Sequence, residues 1–553
     1  MFYLATSVIS LVIVSVLLIS VFIKKDENNK FRYALYKKLR NYINKHYYLV
    51  ICLLLGITIF TSFFKLGEVP YGMHVDEAGM AYDAMSISKY GVDRYLNSNP
   101  IYLINYGGGQ SAMYAYLASI LIKIFGYSQF IIRLPIAIFR ILTFISIIFI
   151  LGKDGNKLRK LIFLFLFSIT PYFIMQSRWG LDCNLLMSFI SISLAFLICS
   201  IEQKKQRLIL LLCSGISFGL SLYTYALSYI ILPIFLFFLC IYILYTKKLK
   251  IRHLIILGLP IFILAIPLML MILINNGIIN EFHGFITIPL LKNYRGSEIS
   301  LNNIPHNLYI ILSLFSFDKE KILIYNSIPY FGTIYYMSIP FFIIGFANCF
   351  KKLIKSFQQR KLNVNIIFML LFLSVLICQL LIANPNINKA NPIFIPILYF
   401  TAIGIEIIFR KYKQLVLPIL LLFLLNFGIF FNYYYYHYDN DNNNQYFFAT
   451  CYLDAVEYAR NLEQSHIFID NDLTAQQYIY ILLNNAISPY NYAENNIKTI
   501  YNNKEIIYTF GIPNEVNKDY IYIVGDKEEL INKFNNMEFD YVQYGNLKVF
   551  FSK

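Results

Sequence analysis

The side chains whose types and spacing could do chemistry fall in a few short stretches. The first, Tyr71-Gly-Met-His-Val-Asp-Glu-Ala-Gly79, sets Asp76 beside Glu77 shortly after an apolar run ends. If this stretch packs on apolar helices, one carboxylate loses water, its pKa rises, and it can take a proton from a hydroxyl as general base. Left in solvent, the two are ordinary surface acids. The second stretch, Gln176-Ser-Arg-Trp-Gly-Leu-Asp-Cys-Asn184, is a short turn between apolar segments that carries Arg178 and Asp182. Arg178 can pair with Asp182, grip a phosphate in bidentate fashion, or anchor a helix end among lipid headgroups; for Arg178 alone the anchor is the plainest reading. Trp179, the only tryptophan, fits the same interface.

Arg140 stands inside an apolar run, where a charge costs at least ~2.5 kcal/mol unless paired or wetted, so it is a functional candidate by default. Arg133, in Arg-Leu-Pro near the start of that run, reads as a helix-end cap. Lys292, Tyr294, Arg295 and Lys389 add outer polar groups that together suggest an anion site. Gly107-Gly-Gly-Gln-Ser111 permits close backbone approach but lacks nucleotide-loop spacing, and a hinge is the safer reading. The histidines are too dispersed for a metal site, no CxxC or zinc spacing occurs, and no GxSxG or Cys/His pair supports a covalent nucleophile.

The elements that must position these residues are membrane helices. Of 553 residues, 58% are hydrophobic and 14% charged, with a mean hydropathy of +0.56, which excludes a water-soluble multidomain enzyme. Twelve apolar runs are expected to span a bilayer: 2–23, 48–64, 131–151, 161–176, 185–202, 208–225, 228–245, 254–275, 328–350, 364–383, 392–409 and 414–432. Loops 24–47, 152–160, 203–207, 246–253, 351–363 and 410–413 hold 27 Lys and Arg in all, against 10 on the opposite loops. Positive loops stay cytoplasmic, so 65–130, 177–184, 276–327, 384–391 and everything after 432 face outward. The same distribution explains the net charge of +16 without nucleic acid. Residues 1–432 carry 39 basic and 15 acidic residues, and 433–553 carry 8 and 16.

Past 432 the character changes. Residues 433–445 read as a low-complexity linker, and 446–553 as a small extracytoplasmic α/β domain. Helices are expected over 449–463, 474–485 and Asp526–Asn536, the last capped by its own Asp. Strands are expected over His466–Asp470, Ile506–Phe510 and Tyr520–Val524, with a strand or hairpin over 539–552. Of eight cysteines, only Cys183 and Cys451 fall where solvent could reach them.

Taken together, His74-Val-Asp-Glu77, Arg133-Leu-Pro135 and Ser177-Arg-Trp-Gly-Leu-Asp182 resemble the pattern of the C-class (GT-C) glycosyltransferases. More narrowly the chain is similar to bacterial members of the dolichyl-phosphate-mannose protein mannosyltransferase-like group, relatives of the aminoarabinose transferases. The resemblance covers about 48–410 and implies an all-α polytopic core of about twelve spans, preceded by an extra N-terminal helix and basic loop over 1–47. It implies inverting transfer of a sugar from a polyprenyl-phosphate donor to an acceptor hydroxyl on a glycan, lipid or protein, at the outer face of a bacterial plasma membrane.

By motif, Asp76 would be the general base, Glu77 its supporting neighbour and Asp182 a second acid of the site. Arg178, Arg140, Arg295 and Lys389 would be candidates for the donor phosphate, where fixed cations stabilise a leaving anion. His74, Tyr106 and Gln110 are candidates for substrate contact. The chain departs from the aminoarabinose transferases at Asn105-Tyr-Gly-Gly-Gly-Gln110, where they carry a phosphate-binding lysine in Lys-Pro-Pro. A divalent metal is left open, since some relatives require one and others do not. Two other classes fit many spans: a transporter or flippase of lipid-linked glycans, and a non-catalytic scaffold for surface polymer. The outer-edge acids and the lack of internal repeats speak against the transporter.

Overall fold

The computed structural model describes residues 2–23, 41–43, 45–152, 156–294, 299–313 and 326–552. Among these, eight helices are long and apolar enough to cross a bilayer: Phe2–Val21, Gln129–Ile150, Asn184–Glu202, Ser228–Tyr245, Ile251–Asn275, Val364–Leu381, Asn391–Lys411 and Lys413–Tyr436. Helices that are apolar all round belong in an interior or in lipid, and both kinds occur here. Asn184–Glu202 and Asn391–Lys411 are almost wholly buried and form the middle of the bundle, whereas Ile251–Asn275 turns Ile255, Leu259 and Phe262 outward.

The other four expected spans are helical, but differently bounded. Tyr47–Phe63 has 17 residues, Lys157–Ile169 has 13 and Arg207–Ser221 has 15, short of the roughly 20 that a straight crossing needs. The expected helix 161–176 breaks at Thr170, which is extended (ψ 134°) because Pro171 follows it and crowds the helical conformation of the preceding residue. The expected run from 328 becomes helical only at Ile339, after Gly332 at φ +72° and a 3-10 turn over Tyr336–Ser338. Two glycines let Ile339–Gln359 lie directly on Phe394–Lys411: a methyl at Gly345 would collide with the Phe400 carbonyl, and one at Gly404 with that of Phe341. The N-terminal helix Phe2–Ile23 is fastened to Val416–Tyr436 by Asn426 Nδ2 donating to Ser10 Oγ (2.9 Å) and by Tyr3 against Tyr433.

The segment between Tyr47–Phe63 and Gln129–Ile150 is a small structure of its own. It contains the helix Val75–Tyr90, an antiparallel hairpin pairing Tyr102–Asn105 with Gly108–Ser111, and the helix Met113–Phe125. Val75–Tyr90 begins where His74 caps it and ends on Gly91 in the left-handed region, with Lys89 in its last turn.

Beyond the last span, Val416–Tyr436 carries straight through the tyrosine run, with Tyr433, Tyr434 and Tyr435 buried, and a 3-10 turn over Tyr438–Asn440 follows. The C-terminal region is a six-stranded sheet. His466–Ile469 is central and runs parallel to Lys504–Phe510 on one side and Ile521–Val524 on the other. Antiparallel strands close both flanks: Ile497–Tyr501 on the first, then Leu547–Phe551 and Asp540–Tyr544 on the second. Ile497–Tyr501 was not among the expected strands. The helix expected from Asp526 runs over Glu528–Asn536 with Lys527 at its cap position and no side-chain cap, so Asp526 does not play that role. Cys183 is buried rather than solvent-accessible.

Candidate active site

The helix that starts at Val75 fixes both acids of the first motif, and in opposite ways. His74 is extended at the cap, and its Nδ1 accepts the Asp76 backbone N–H (3.2 Å). Burial lowers the pKa of this imidazole, which matches a neutral ring with an accepting Nδ1. One position further round the helix, Glu77 points inward and is sealed. Arg133 Nε and Nη2 donate to its two oxygens at 2.8 and 3.0 Å, and the Gly180 N–H donates to Oε1 at 2.7 Å. Arg133 also donates to the carbonyls of Pro70 (2.7 Å) and Gly72 (2.8 Å), so this arginine is the clasp between the acid motif and its span, not a helix-end cap.

Asp76 is left as the open member of the pair. Its side chain keeps 38% exposure, and its contacts are His74 Nδ1 at 3.7 Å and a long donation from Asn105 Nδ2 at 3.4 Å. Asn105 ends the first hairpin strand, and Ser111 ends the second, where its N–H donates to Asp182 Oδ2 (3.1 Å). One hairpin therefore touches both Asp76 and Asp182. Asp182 is buried, its Oδ1 accepting the Cys183 N–H (2.7 Å), and burial pushes its pKa up to about 7, with Asp76 adding to the rise.

The hairpin turn is strained and braced. Tyr106 and Gly107 have φ of +50° and +80°, a two-residue turn with both central residues left-handed, unusual for a tyrosine. The Tyr106 hydroxyl donates to the Val75 carbonyl (2.8 Å), and the Arg94 guanidinium lies over its ring at 5.6 Å. Arg94 in turn donates to both oxygens of buried Asp83 and to the Gly79 carbonyl. Glycine at 79 leaves room for this bracing: a methyl there would stand 2.7 Å from Tyr106 Oη, 2.8 Å from Arg94 Nη2 and 2.9 Å from Asn105 Oδ1, and these side chains would have to shift.

Around the two aspartates lie buried polar atoms with no partner in the protein: Asn105 Oδ1, Gln110 Oε1, Ser111 Oγ and Asn184 Nδ2. Buried polar groups are nearly always satisfied, so such a group of donors and acceptors marks room for polar matter that the protein itself does not supply. Among the described residues no group of three or more His, Cys, Asp and Glu could hold a metal ion, and His74 Nδ1 is already taken up by a backbone N–H. The donor set at Asp76 and Asp182 therefore does not form a metal cage.

Residues 110–271 match the family model for dolichyl-phosphate-mannose-protein mannosyltransferase. Among solved structures, ArnT from Cupriavidus metallidurans bound to undecaprenyl phosphate is 10% identical, with 90% of this chain and 97% of that chain covered at a TM-score of 0.53. Its apo state gives 12% identity, the same coverage and a TM-score of 0.52. No curated protein sequence matches the chain. The fold is similar to that of ArnT over nearly the whole of both chains.

On this helical core the cations named from the sequence have separate positions. Arg178 gives its donors to backbone carbonyls of Thr61, Ser62, Lys65 and Val69 and stacks on Tyr435 at 4.7 Å; it ties the end of Tyr47–Phe63 to the last span, and its N–H groups face the chain rather than a ligand. Arg140 donates to Thr61 Oγ1 (2.9 Å), Ser62 Oγ (3.1 Å) and the Ser168 carbonyl (3.1 Å), and its Nε is buried without a partner. Lys389 Nζ donates to the Ala383 carbonyl at 2.7 Å. Arg295 lies outside the described residues.

The C-terminal sheet region is seated on the acid motif. Tyr480 donates to the Met73 carbonyl (3.1 Å), the Met73 N–H to the Phe448 carbonyl (2.8 Å), and Tyr82 to the Ile487 carbonyl (2.9 Å). Trp179 lies between His74 (5.0 Å) and Phe448 (5.9 Å). Sequence reasoning missed Asp83, Arg94 and Asn105. A single acid beyond the first turn of a helix otherwise rich in small and apolar residues was the one signal for Asp83, and nothing in the spacing pointed to Arg94.

Proposed function

We propose that this protein is an inverting glycosyltransferase that moves a sugar from a polyprenyl-phosphate donor to an acceptor hydroxyl on a cell-surface glycan, lipid or protein. The observation that carries the proposal is the asymmetry of the acid pair: Glu77 is consumed by Arg133 and Gly180, while Asp76 stays half-open at a helix start beside unpartnered polar groups. The ArnT-like fold and the family match support it. ArnT in the solved structure holds undecaprenyl phosphate, and the same class of carrier is proposed here.

In this reading Asp76 takes the proton of the acceptor hydroxyl as its oxygen bonds to the sugar's anomeric carbon. The bond from that carbon to the phosphate oxygen breaks on the opposite face, and the lipid phosphate leaves with the electron pair. A well-placed general base contributes about 10²–10⁴-fold. Glu77 and Arg133 hold the helix that aims Asp76, and Asp182, His74, Tyr106 and Gln110 line the sugar's surroundings. Arg178, most of Arg140 and the Lys389 ammonium are engaged by the chain itself, and Arg295 is the proposed partner of the leaving phosphate. All twelve apolar segments are proposed to cross a bacterial plasma membrane, with 1–47 as an N-terminal addition, 48–432 as the catalytic core, 433–445 as its connection and 446–553 outside. Mass spectrometry of surface glycans and lipid-linked sugars in cells with wild type, Asp76→Asn or no protein tests the reading. A modification lost in both deficient strains, with the lipid-phosphate sugar accumulating, supports it; a variant indistinguishable from wild type removes Asp76 as base.

A further inference from the structure

The C-terminal sheet has a point where its strand connections reverse, the place where open sheets form a crevice for ligands. In an open sheet, ligands bind beyond the carboxyl ends of parallel strands, where neighbouring strands send their connections in opposite directions. Here the chain leaves His466–Ile469 toward Lys504–Phe510 on one side, then returns past it to Ile521–Val524 on the other. The reversal falls between His466–Ile469 and Ile521–Val524, and their carboxyl ends carry Asp470 and Gly525.

Asp470 is buried to 4% exposure. Its Oδ1 accepts Lys527 Nζ (2.8 Å), and its Oδ2 has no partner. Gln477, at 7% exposure, donates through Nε2 to the Asp470 carbonyl (2.9 Å), which leaves its Oε1 also buried and unpartnered. The absent side chain of Gly525 keeps space beside Oδ2: a methyl there would lie 3.8 Å from it and 3.1 Å from Leu473. Two orphan acceptors next to one cation call for a ligand that brings hydroxyl donors and also accepts. The rim adds Tyr446, exposed on its ring and tied to the crevice loop by Thr474 Oγ1 donating to its carbonyl (3.3 Å). An amphipathic tyrosine offers a sugar ring an apolar face. With 16 acidic against 8 basic residues over 433–553, the region repels a polyanion, which leaves a neutral glycan.

The loop after Asp470 is also tied to the acid motif. Its loop runs into the helix Tyr478–Asn484, whose Tyr480 holds the Met73 carbonyl just before Asp76, and Phe448, next to Tyr446 and Phe447, packs on Trp179.

We propose that Asp470, Gln477, Gly525 and Lys527 form a binding subsite for the hydroxyls of a neutral glycan. That this glycan is the acceptor rests on the transferase reading; the existence of the subsite does not. Saturation-transfer NMR on the full-length protein in detergent, without donor, using mannotriose, maltotriose and chitotriose as probes, tests it. We expect signal transfer to at least one trisaccharide. Affinity should fall about tenfold or more in Asp470→Asn and in Gly525→Val, the latter blocking the crevice without removing a polar group. Absence of binding by all three probes, or binding unchanged in both crevice variants, overturns the subsite. Binding that survives while Asp76→Asn still transfers sugar would instead sink the catalytic assignment and leave the subsite standing.

Discussion

Two neighbouring carboxylates, Asp76 and Glu77, and a third, Asp182, meet three different environments, and their chemistry follows from that difference rather than from their shared type. Asp182 makes a prediction through its protonation. Its folded pKa is raised to about 7, while an unfolded chain releases the same proton near pH 3.9. Between those values the folded state keeps a proton the unfolded state has lost, so stability falls as pH rises through the window, by up to ~1.4 kcal/mol per pH unit, and levels off above pH 7. Asp182→Asn, which mimics the protonated acid, should flatten that slope. Thermal unfolding in detergent at pH 5 and pH 8 checks this, and equal pH dependence in the two proteins would refute it. Glu77 predicts the opposite kind of outcome. Arg133→Ala leaves a sealed carboxylate without its cation and should cost about 3–5 kcal/mol, read as a large drop in unfolding temperature and yield; a variant as stable as wild type would show that the pair holds nothing together.

At the scale of elements, close approach decides which substitutions are tolerated. Gly345→Val should separate Ile339–Gln359 from Phe394–Lys411 and cost about 1–3 kcal/mol, whereas the same change at Gly428, which has open space around it, should be nearly neutral in a side-by-side unfolding series. These two glycines look alike in the sequence, and that similarity marks where sequence reading ends. Apolar run length and basic-loop alternation made the long helices legible, because bilayer thickness and the cost of moving charge across it act on composition alone. The acid motif was legible for the same reason, since paired acids beside a membrane edge are rare enough to stand out. Helix breaks at Thr170 and before Ile339 depend on single backbone conformations, and the edge strand Ile497–Tyr501 on the hairpin that pairs it with Lys504–Phe510. The Arg133 clasp spans 56 positions to Glu77, and Arg178's partners lie more than 100 positions away, contacts that local patterns do not encode.

Across the whole molecule, a bundle with polar residues gathered at one end carries a sheet region seated on that end, so both lie at the same end of the bundle. In a background where Cys451 is serine, Tyr490→Cys should react with a membrane-impermeant maleimide on intact cells, and Lys204→Cys only after permeabilisation; the reverse pattern would invert the topology. The central claim, that Asp76 is the base of a lipid-linked sugar transfer, is tested most directly with the purified full-length protein in lipid nanodiscs. Supplied with a radiolabelled polyprenyl-phosphate sugar and its acceptor, Asp76→Asn should transfer at least a hundredfold more slowly than wild type while binding the donor equally well. Transfer by Asp76→Asn at the wild-type rate would contradict the account.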